Sequence, residues 1–269
     1  MSSEARVVLV TGASTGFGRC IAEHLVANGY NVYGTSRRPQ AGGPFPMIAM
    51  DVDSDASVAA GVAEVIAREG RLDAVVGNAG MGIAGALEDT TCEEGLAQFQ
   101  TNFFGNHRLV RAALPHLRQQ QIAHIVIVGS LAGLVGIPFQ GMYAASKFAV
   151  EGYVESLRLE LRGSPVRATV LEPGDFATGF TSSRQKVAAS GEGSLYKAAF
   201  DRAMAIIDKD ERDGADPAMI GPVVREVLED PRPPVRRAVV GPRQEGVETA
   251  KRDLSPDDLE DMIADHFLP

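Results

Sequence analysis

Short runs of consecutive apolar residues alternate along this chain with longer stretches in which apolar positions recur every three or four residues. The runs are Val7 to Val10, Asn31 to Thr35, Met47 to Met50, Leu72 to Val76, Ile122 to Val128, Val166 to Leu171 and Val235 to Val240. Their length and near-continuous apolarity fit strands covered on both faces, as in a parallel sheet. The stretches between them carry one-sided stripes: Ile21, Ala22, Leu25 and Val26 in Arg19 to Asn28, and Val58, Val62, Val65 and Ile66 in Ser57 to Glu69. Glu93 to Phe104 and Asn106 to Gln119 continue the series with Leu109, Val110, Ala113 and Leu117, and a helix from near Tyr143 to Arg162 buries Val150, Val154, Leu157 and Leu161. Strand and helix in strict alternation predict an α/β, doubly wound architecture, a seven-stranded, mostly parallel sheet with helices on both faces.

Beyond the sixth strand the pattern loosens. From Asp175 to about Ala215, Phe176, Phe180, Leu195, Tyr196, Phe200, Met204 and Ile207 sit among serines, glycines and charges. That segment is too apolar for a free linker and reads as an insertion closing over a lipophilic ligand. Asp216-Pro217 then forms an N-cap and first-turn pair for a helix bearing Ile220, Val223, Val224, Val227 and Leu228, with Pro222 in its early turns. In the tail, Ser255-Pro256-Asp257-Asp258 reads as another helix start, flanked by Leu254 and Leu259 as a hydrophobic staple and followed by Met262, Ile263 and Phe267. Residues 1–269 are expected to form one domain with an insertion at about 175–215 and a tail at about 242–269.

Composition narrows the classes of function. A formal net charge of -9 with no basic block argues against a nucleic-acid surface. Cys20 and Cys92 are too few and too far apart for a disulfide scaffold or a structural metal site. Met1 to Arg6 leads straight into the first strand without a signal peptide, and no apolar run approaches the roughly eighteen residues of a membrane span. A cytoplasmic protein is the expectation.

The candidate chemistry lies where strands end. Thr11-Gly12-Ala13-Ser14-Thr15-Gly16-Phe17-Gly18 separates the first strand from the first helix. Glycines there let a pyrophosphate approach the backbone and reach the positive end of the helix. The second strand ends in Thr35-Ser36-Arg37-Arg38, without the carboxylate that accepts from a ribose 2'-hydroxyl, and two guanidiniums suit a 2'-phosphate. NADP is therefore expected over NAD. Asp51, followed by Val52, either meets an adenine amino group or caps a turn; Asn78-Ala79-Gly80 offers backbone to a flat ligand. Ser130 follows the fifth strand at the edge where an open parallel sheet binds its ligand. Tyr143 and Lys147 stand four apart, so on a helix they share a face, and an ammonium there would lower the phenol's pKa. Asn102 falls inside a helical stretch, where it marks a local backbone bond or a kink.

Taken together, the glycine turn, Asn78-Ala79-Gly80, Asn102, Ser130, Tyr143-Ala144-Ala145-Ser146-Lys147 and Pro173-Gly174 with Thr178 resemble the short-chain dehydrogenase/reductase family over roughly residues 6 to 241. A looser similarity points to its steroid and lipophilic-alcohol branch. The resemblance implies a Rossmann fold, a nicotinamide cofactor and a homodimer or homotetramer. It implies that Tyr143 is the general acid in carbonyl reduction and the base in alcohol oxidation, that Lys147 tunes Tyr143 and holds the ribose, and that Ser130 donates to the substrate oxygen. Asn102 would hold a helix bend and a water relaying protons to Lys147. Gly12, Ser14, Thr15, Gly16, Phe17, Gly18, Arg37, Arg38, Asp51, Val52, Asn78, Ala79, Gly80, Pro173, Gly174, Phe176 and Thr178 would line the cofactor, with no metal. Two departures stand out: Gly77 where the family commonly has asparagine, and Thr15 where many 2'-phosphate binders have a basic residue. The expectation is an NADP(H)-dependent oxidoreductase of a lipophilic ketone or aldehyde and its alcohol. The alternatives are a non-catalytic NADP-binding regulator and a dehydratase or epimerase on the same fold.

Overall fold

The computed structural model describes residues 5–40 and 42–268. Met1 to Glu4, Ala41 and Pro269 lie outside the described residues, and with them most of the expected leaderless start and one position of the Gln40 to Pro46 turn. The elements in order are β1 (Val7–Val10), α1 (Gly16–Ala27), β2 (Asn31–Ser36), β3 (Met47–Ala49), α2 (Asp55–Glu69), β4 (Ala74–Gly77), β5 (Ile83–Ala84) and α3 (Cys92–Phe99). A π-helical segment, Gln100–Phe104, leads into α4 (Gly105–Leu117), β6 (Ala123–Val128), α5 (Gly141–Glu160) and β7 (Val166–Pro173). The chain continues through α6 (Phe180–Ser183), β8 (Gln185–Lys186), α7 (Lys197–Arg212), α8 (Ile220–Glu229), β9 (Arg236–Val239), α9 (Val247–Asp253) and α10 (Pro256–Phe267).

Seven strands form one sheet in the order β3-β2-β1-β4-β6-β7-β9. Every pairing within it is parallel. The seven apolar runs of the sequence are these strands, and a parallel sheet requires their continuous apolarity because helices cover both faces. One core layer joins α2, α4 and α5 to the sheet through Val62, Val65, Leu109, Ala113, Val150 and Val154. The opposite layer joins α1 and α8 through Ile21, Leu25, Ile220, Val224 and Leu228. The strand order reverses between β1 and β4, so the carboxyl ends of those strands diverge and open a crevice.

Local signals explain the helix starts. Ser54 accepts from Ser57 N as the α2 N-cap, and Thr91 with Glu94 forms a capping box on α3. Asp216 caps a short 3-10 turn at Pro217–Met219 that runs into α8, and Ser255 caps α10. Leu259 is buried as expected while Leu254 is exposed, so the staple is one-sided. A second, two-stranded pairing of β5 with β8 ties the insertion to the loop after β4; neither two-residue strand is legible in the hydrophobic pattern. Among the described residues no helix is long and apolar enough to cross a membrane.

Candidate active site

The glycine turn is fixed from across the sheet. Thr11 Oγ1 accepts from the backbone nitrogens of Asn78 at 2.9 Å and Ala79 at 3.0 Å, while Asn78 Nδ2 donates to the carbonyls of Thr11 and Gly12 at 2.9 and 3.2 Å. Gly12 and Gly16 adopt φ of 64° and 54°, the left-handed region where a side chain is strained. A Cβ on Gly18 would lie 2.4 Å from the Gly12 carbonyl oxygen and 2.5 Å from Asn78 Nδ2, so that position packs the turn rather than facing the crevice. Thr15, the residue before α1, makes no side-chain cap and the first turn carries no acid. The unpaired amides of the helix start, their positive dipole end and the missing Cβ atoms together fit a pyrophosphate. Phe17 closes the turn edge-on against Phe176, with ring centroids 5.0 Å apart.

One cavity of about 580 Å³ runs from this turn to the ends of β6 and β7. Gly12, Ser14, Thr15, Gly16, Phe17, Arg37, Asp51, Val52, Asn78, Ala79, Gly80, Ser130, Tyr143, Lys147, Pro173, Gly174, Phe176 and Thr178 all line it. Gly18, Arg38 and Asn102 do not: Gly18 is behind the turn, Arg38 is exposed beside Arg37, and Asn102 is buried under the floor. Asp51 caps a tight turn, its Oδ1 accepting from Asp53 N at 3.1 Å, and it also lines the cavity.

At the other end α5 projects Tyr143 and Lys147 from one face, with Nζ 5.7 Å from the phenol ring centroid. Ser130 follows β6 and its Oγ accepts from Ala132 N at 3.1 Å. Asn102 sits in the π-helical segment, where the extra residue per turn swings its side chain inward. Its Oδ1 accepts from Met81 N at 2.9 Å, and its Nδ2 donates to Met81 O at 3.0 Å and Ser146 Oγ at 3.2 Å. The expected kink is therefore this bulge, and it pins the loop after β4 to α5.

Gly77 has a physical reason. A Cβ there would stand 2.0 Å from Asn106 Oδ1. The buried Asn106 amide fills that space from α4 and donates from Nδ2 to the Asn102 carbonyl at 2.7 Å, a group whose ordinary helical partner the π turn disturbs.

The electrostatics differ from the sequence expectation. Desolvation pushes Tyr143 up to about 12, opposed by a side-chain hydrogen bond with Ser130. Desolvation outweighs any lowering by the Lys147 ammonium; burial drives Lys147 itself down to about 8, and its Nζ donates to the Val128 carbonyl at 2.9 Å. Burial outweighs pairing because both groups leave water together.

On the substrate side of the cavity, Phe180 and Ile207 of the expected insertion are joined by Phe267 of the tail and by Ile137, which the sequence did not single out. Ile137, Ile207 and Phe267 supply apolar wall, as does Phe180, whose ring centroid is 5.5 Å from that of Tyr143. Phe139, at φ 60° the one non-glycine residue in the left-handed region among those described, packs edge-on against Phe200 and steadies the loop carrying Ile137. Asp175, Asp210 and Glu211 also face this end; burial and the two neighbouring acids push Asp175 up to about 6. Gln244, from the tail, binds Asp175 through Nε2 at 2.8 Å. Among the described residues no cluster of three or more His, Cys, Asp or Glu is arranged for a metal.

Comparisons with known proteins agree with this geometry. The short chain dehydrogenase family profile matches residues 6–188. The 3-ketodihydrosphingosine reductase of Bacteroides thetaiotaomicron is 40% identical over 257 residues, 95% of both chains. Human retinol dehydrogenase 8 is 36% identical over 195 residues, 67% of this chain and 62% of that one. A crystal structure of a short-chain dehydrogenase from Streptomyces avermitilis superposes with a TM-score of 0.84 at 31% identity, covering 98% of this chain and 97% of the other. With its parallel seven-stranded sheet and glycine turn, the chain belongs to the short-chain dehydrogenase/reductase family and is an oxidoreductase of that family.

Proposed function

We propose that the protein interconverts a lipophilic ketone or aldehyde and the corresponding alcohol, using NADP(H). The observation that carries this reading is a single cavity bounded at one end by the glycine turn and Arg37 and at the other by Ser130, Tyr143 and Lys147, with apolar walls beyond them. Arg37, with no carboxylate at the end of β2, supports a 2'-phosphate. The Bacteroides relative's name, a reductase of 3-ketodihydrosphingosine, supports a keto group on a lipophilic body as the substrate class.

The bound nicotinamide supplies the hydride. Gly12, Ser14, Thr15 and Gly16 would hold the pyrophosphate on the α1 terminus; Asp51, Val52, Asn78, Ala79 and Gly80 would border the adenosine and ribose; Pro173, Gly174, Phe176 and Thr178 would border the nicotinamide end. Ser130 donates to the carbonyl oxygen, and Tyr143 delivers its phenolic proton there as charge develops. Lys147 stands beside the phenol as a cation that favours the charge Tyr143 leaves behind. A phenol raised to about 12 is protonated at neutral pH, which suits reduction. Alcohol oxidation needs the phenolate, so its rate is expected to climb with pH. The exposed Leu159 of α5 and Leu96 of α3 support assembly as a homodimer or homotetramer.

The test is NADPH oxidation against ketones running from small polar through aryl to steroid and long-chain lipid, with NADH in parallel. Tyr143→Phe should keep cofactor binding and lose at least about 100-fold in turnover. Near-normal turnover in that variant removes Tyr143 from the chemistry; NADPH binding with no ketone reduced favours the regulatory or lyase-like alternatives.

A further inference from the structure

The cavity of about 580 Å³ has little room for a lipophilic body once a cofactor lies in it. Drug-sized ligands alone occupy clefts of about 300–1,000 Å³, and a nicotinamide dinucleotide is at least of that size. What remains is the space around Tyr143, Phe180 and Ile207, enough for a carbonyl and its near neighbours. A second hollow of about 340 Å³ lies beyond the same wall. Ile137 and Phe267 line the cavity, while their chain neighbours Gly136, Pro138 and Leu268 line this groove. The loop before α5 and the last turn of α10 are therefore a partition between two spaces.

α10 is tied down at both ends. Leu259 is buried near its start, and His266 Nε2 lies 2.8 Å from Asp210 Oδ2 on α7 near its finish. Between those ties Ile263 and Ala264 line the groove, together with Val135 of the loop. Among the described lining residues only Lys251 and Glu260 carry polar side chains, and the Lys251 ammonium stands over the Phe148 ring, 5.9 Å from its centroid. Such a lining offers few partners to a peptide or a sugar, whose polar groups would lose water without compensation. An alkyl chain needs none, and each methylene it buries strengthens binding by about 4-fold. The partition can also yield. Ile137 and Phe267 are part-buried and both pack against the Phe200, Met204 and Ile207 cluster, so the way between the two spaces is apolar. Each has a void beside it, and a change of rotamer there displaces no packed atoms.

We propose, resting on the reductase reading, that the groove under α10 is the subsite for a long alkyl chain. The chain leaves the carbonyl at Tyr143, passes between Ile137 and Phe267 and lies against Ile263 and Ala264. The substrate class is a ketone on a linear aliphatic chain; a rigid fused-ring ketone cannot bend through the partition.

The test is kcat/KM with NADPH along methyl ketones from butanone to dodecanone, with a steroid ketone beside them. In the wild type the value should climb through the series, by up to about 4-fold per methylene, and the steroid should fall below dodecanone. Gly136 lies outside the left-handed region and a Cβ on it meets no atom within 4 Å, so Gly136→Leu narrows the groove without a clash. Its preference for dodecanone over butanone should drop at least about 10-fold, the equivalent of fewer than two buried methylenes, with the loss in KM. Ile263→Glu, which sets a charge against the chain, should do the same. An unchanged preference in both variants, or a wild-type series that is flat, would overturn the proposal. So would a change of sedimentation in Ile263→Glu with the chain-length preference intact, which assigns the groove to a second copy of the chain. Failure of the reductase reading gives a different result, a wild-type protein that reduces no ketone of any length. Calorimetric titration with decanol then reads the groove directly: binding that weakens at least about 10-fold in Gly136→Leu supports the alkyl subsite, and equal or absent binding overturns it.

Discussion

Gly77→Ala should destabilise the wild-type chain yet be neutral or stabilising once Asn106 is alanine. In the wild type the new methyl carbon would sit 2.0 Å from Asn106 Oδ1, so strand or amide must move. Overpacking of this kind costs about 1–3 kcal/mol. Asn106→Ala alone removes the 2.7 Å bond to the buried Asn102 carbonyl, worth about 1–3 kcal/mol when the acceptor is left unmet. In the double variant the methyl occupies vacated space. Gly77 is not among the glycines at positive φ, so alanine fits its backbone and should contribute roughly 0.4–1 kcal/mol by restricting the unfolded chain. The four chains of the cycle should therefore show a coupling of about 2 kcal/mol. Urea unfolding followed by far-ultraviolet circular dichroism suits a chain with no tryptophan. Effects that add to within about 0.5 kcal/mol would refute the steric argument.

Gly18→Ala should abolish nucleotide binding by titration calorimetry while the sheet stays folded, because its Cβ would lie 2.4 Å from the Gly12 carbonyl oxygen; retained affinity would mean the turn has room to spare. Arg37→Ala with Arg38→Ala should weaken NADPH binding by more than about 10-fold and NADH binding little, since a charge-assisted pair to phosphate is lost; equal losses would contradict a 2'-phosphate role. His124 is buried, accepting at Nδ1 from Arg6 and donating from Nε2 to the Asp230 carbonyl, and burial lowers it from 6.5 to about 4. Between those pH values the unfolded chain takes up a proton that the folded one refuses, so stability present above pH 6.5 is lost as pH falls, by roughly 3 kcal/mol at 1.36 kcal/mol per pH unit. His124→Gln should flatten that slope in urea titrations at successive pH values, and an unchanged slope would assign the loss to other groups.

Much of this was legible in the chain because its strands are buried on both faces and its helices on one. Seven apolar runs became seven strands, the glycine turn and Ser130 fell at strand ends where a doubly wound sheet opens its crevice, and Tyr143 and Lys147 fell four apart on the helix beside it. Boundaries shifted where a side chain took over a backbone role: β4 begins at Ala74 rather than Leu72, and the carboxylate of the preceding Asp73 accepts from Val7 N at 2.7 Å. The π-helical turn at Gln100–Phe104 was visible only as an awkward asparagine in a helix, since a single bulge leaves the apolar stripe almost intact. Gln244 and Phe267 reach the cavity from a tail whose pattern specifies a helix but no destination. The raised phenol of Tyr143 could not be read from its spacing to Lys147, because spacing records proximity while desolvation depends on everything packed around both.

The stitch between Thr11 and Asn78 also bears on how the protein is made. Those two residues are 67 positions apart, and without Asn78 the carbonyls of Thr11 and Gly12 lose its amide. A nascent chain that has exposed only β1, α1 and β2 therefore has the glycines but not the geometry, and β1 must wait for β4 to arrive on its open edge. Nucleotide present during synthesis can capture the cradle only after that closure, adding stability in proportion to the logarithm of its concentration over Kd. Refolding yield should respond to cofactor late, after the sheet has formed, rather than during initial collapse.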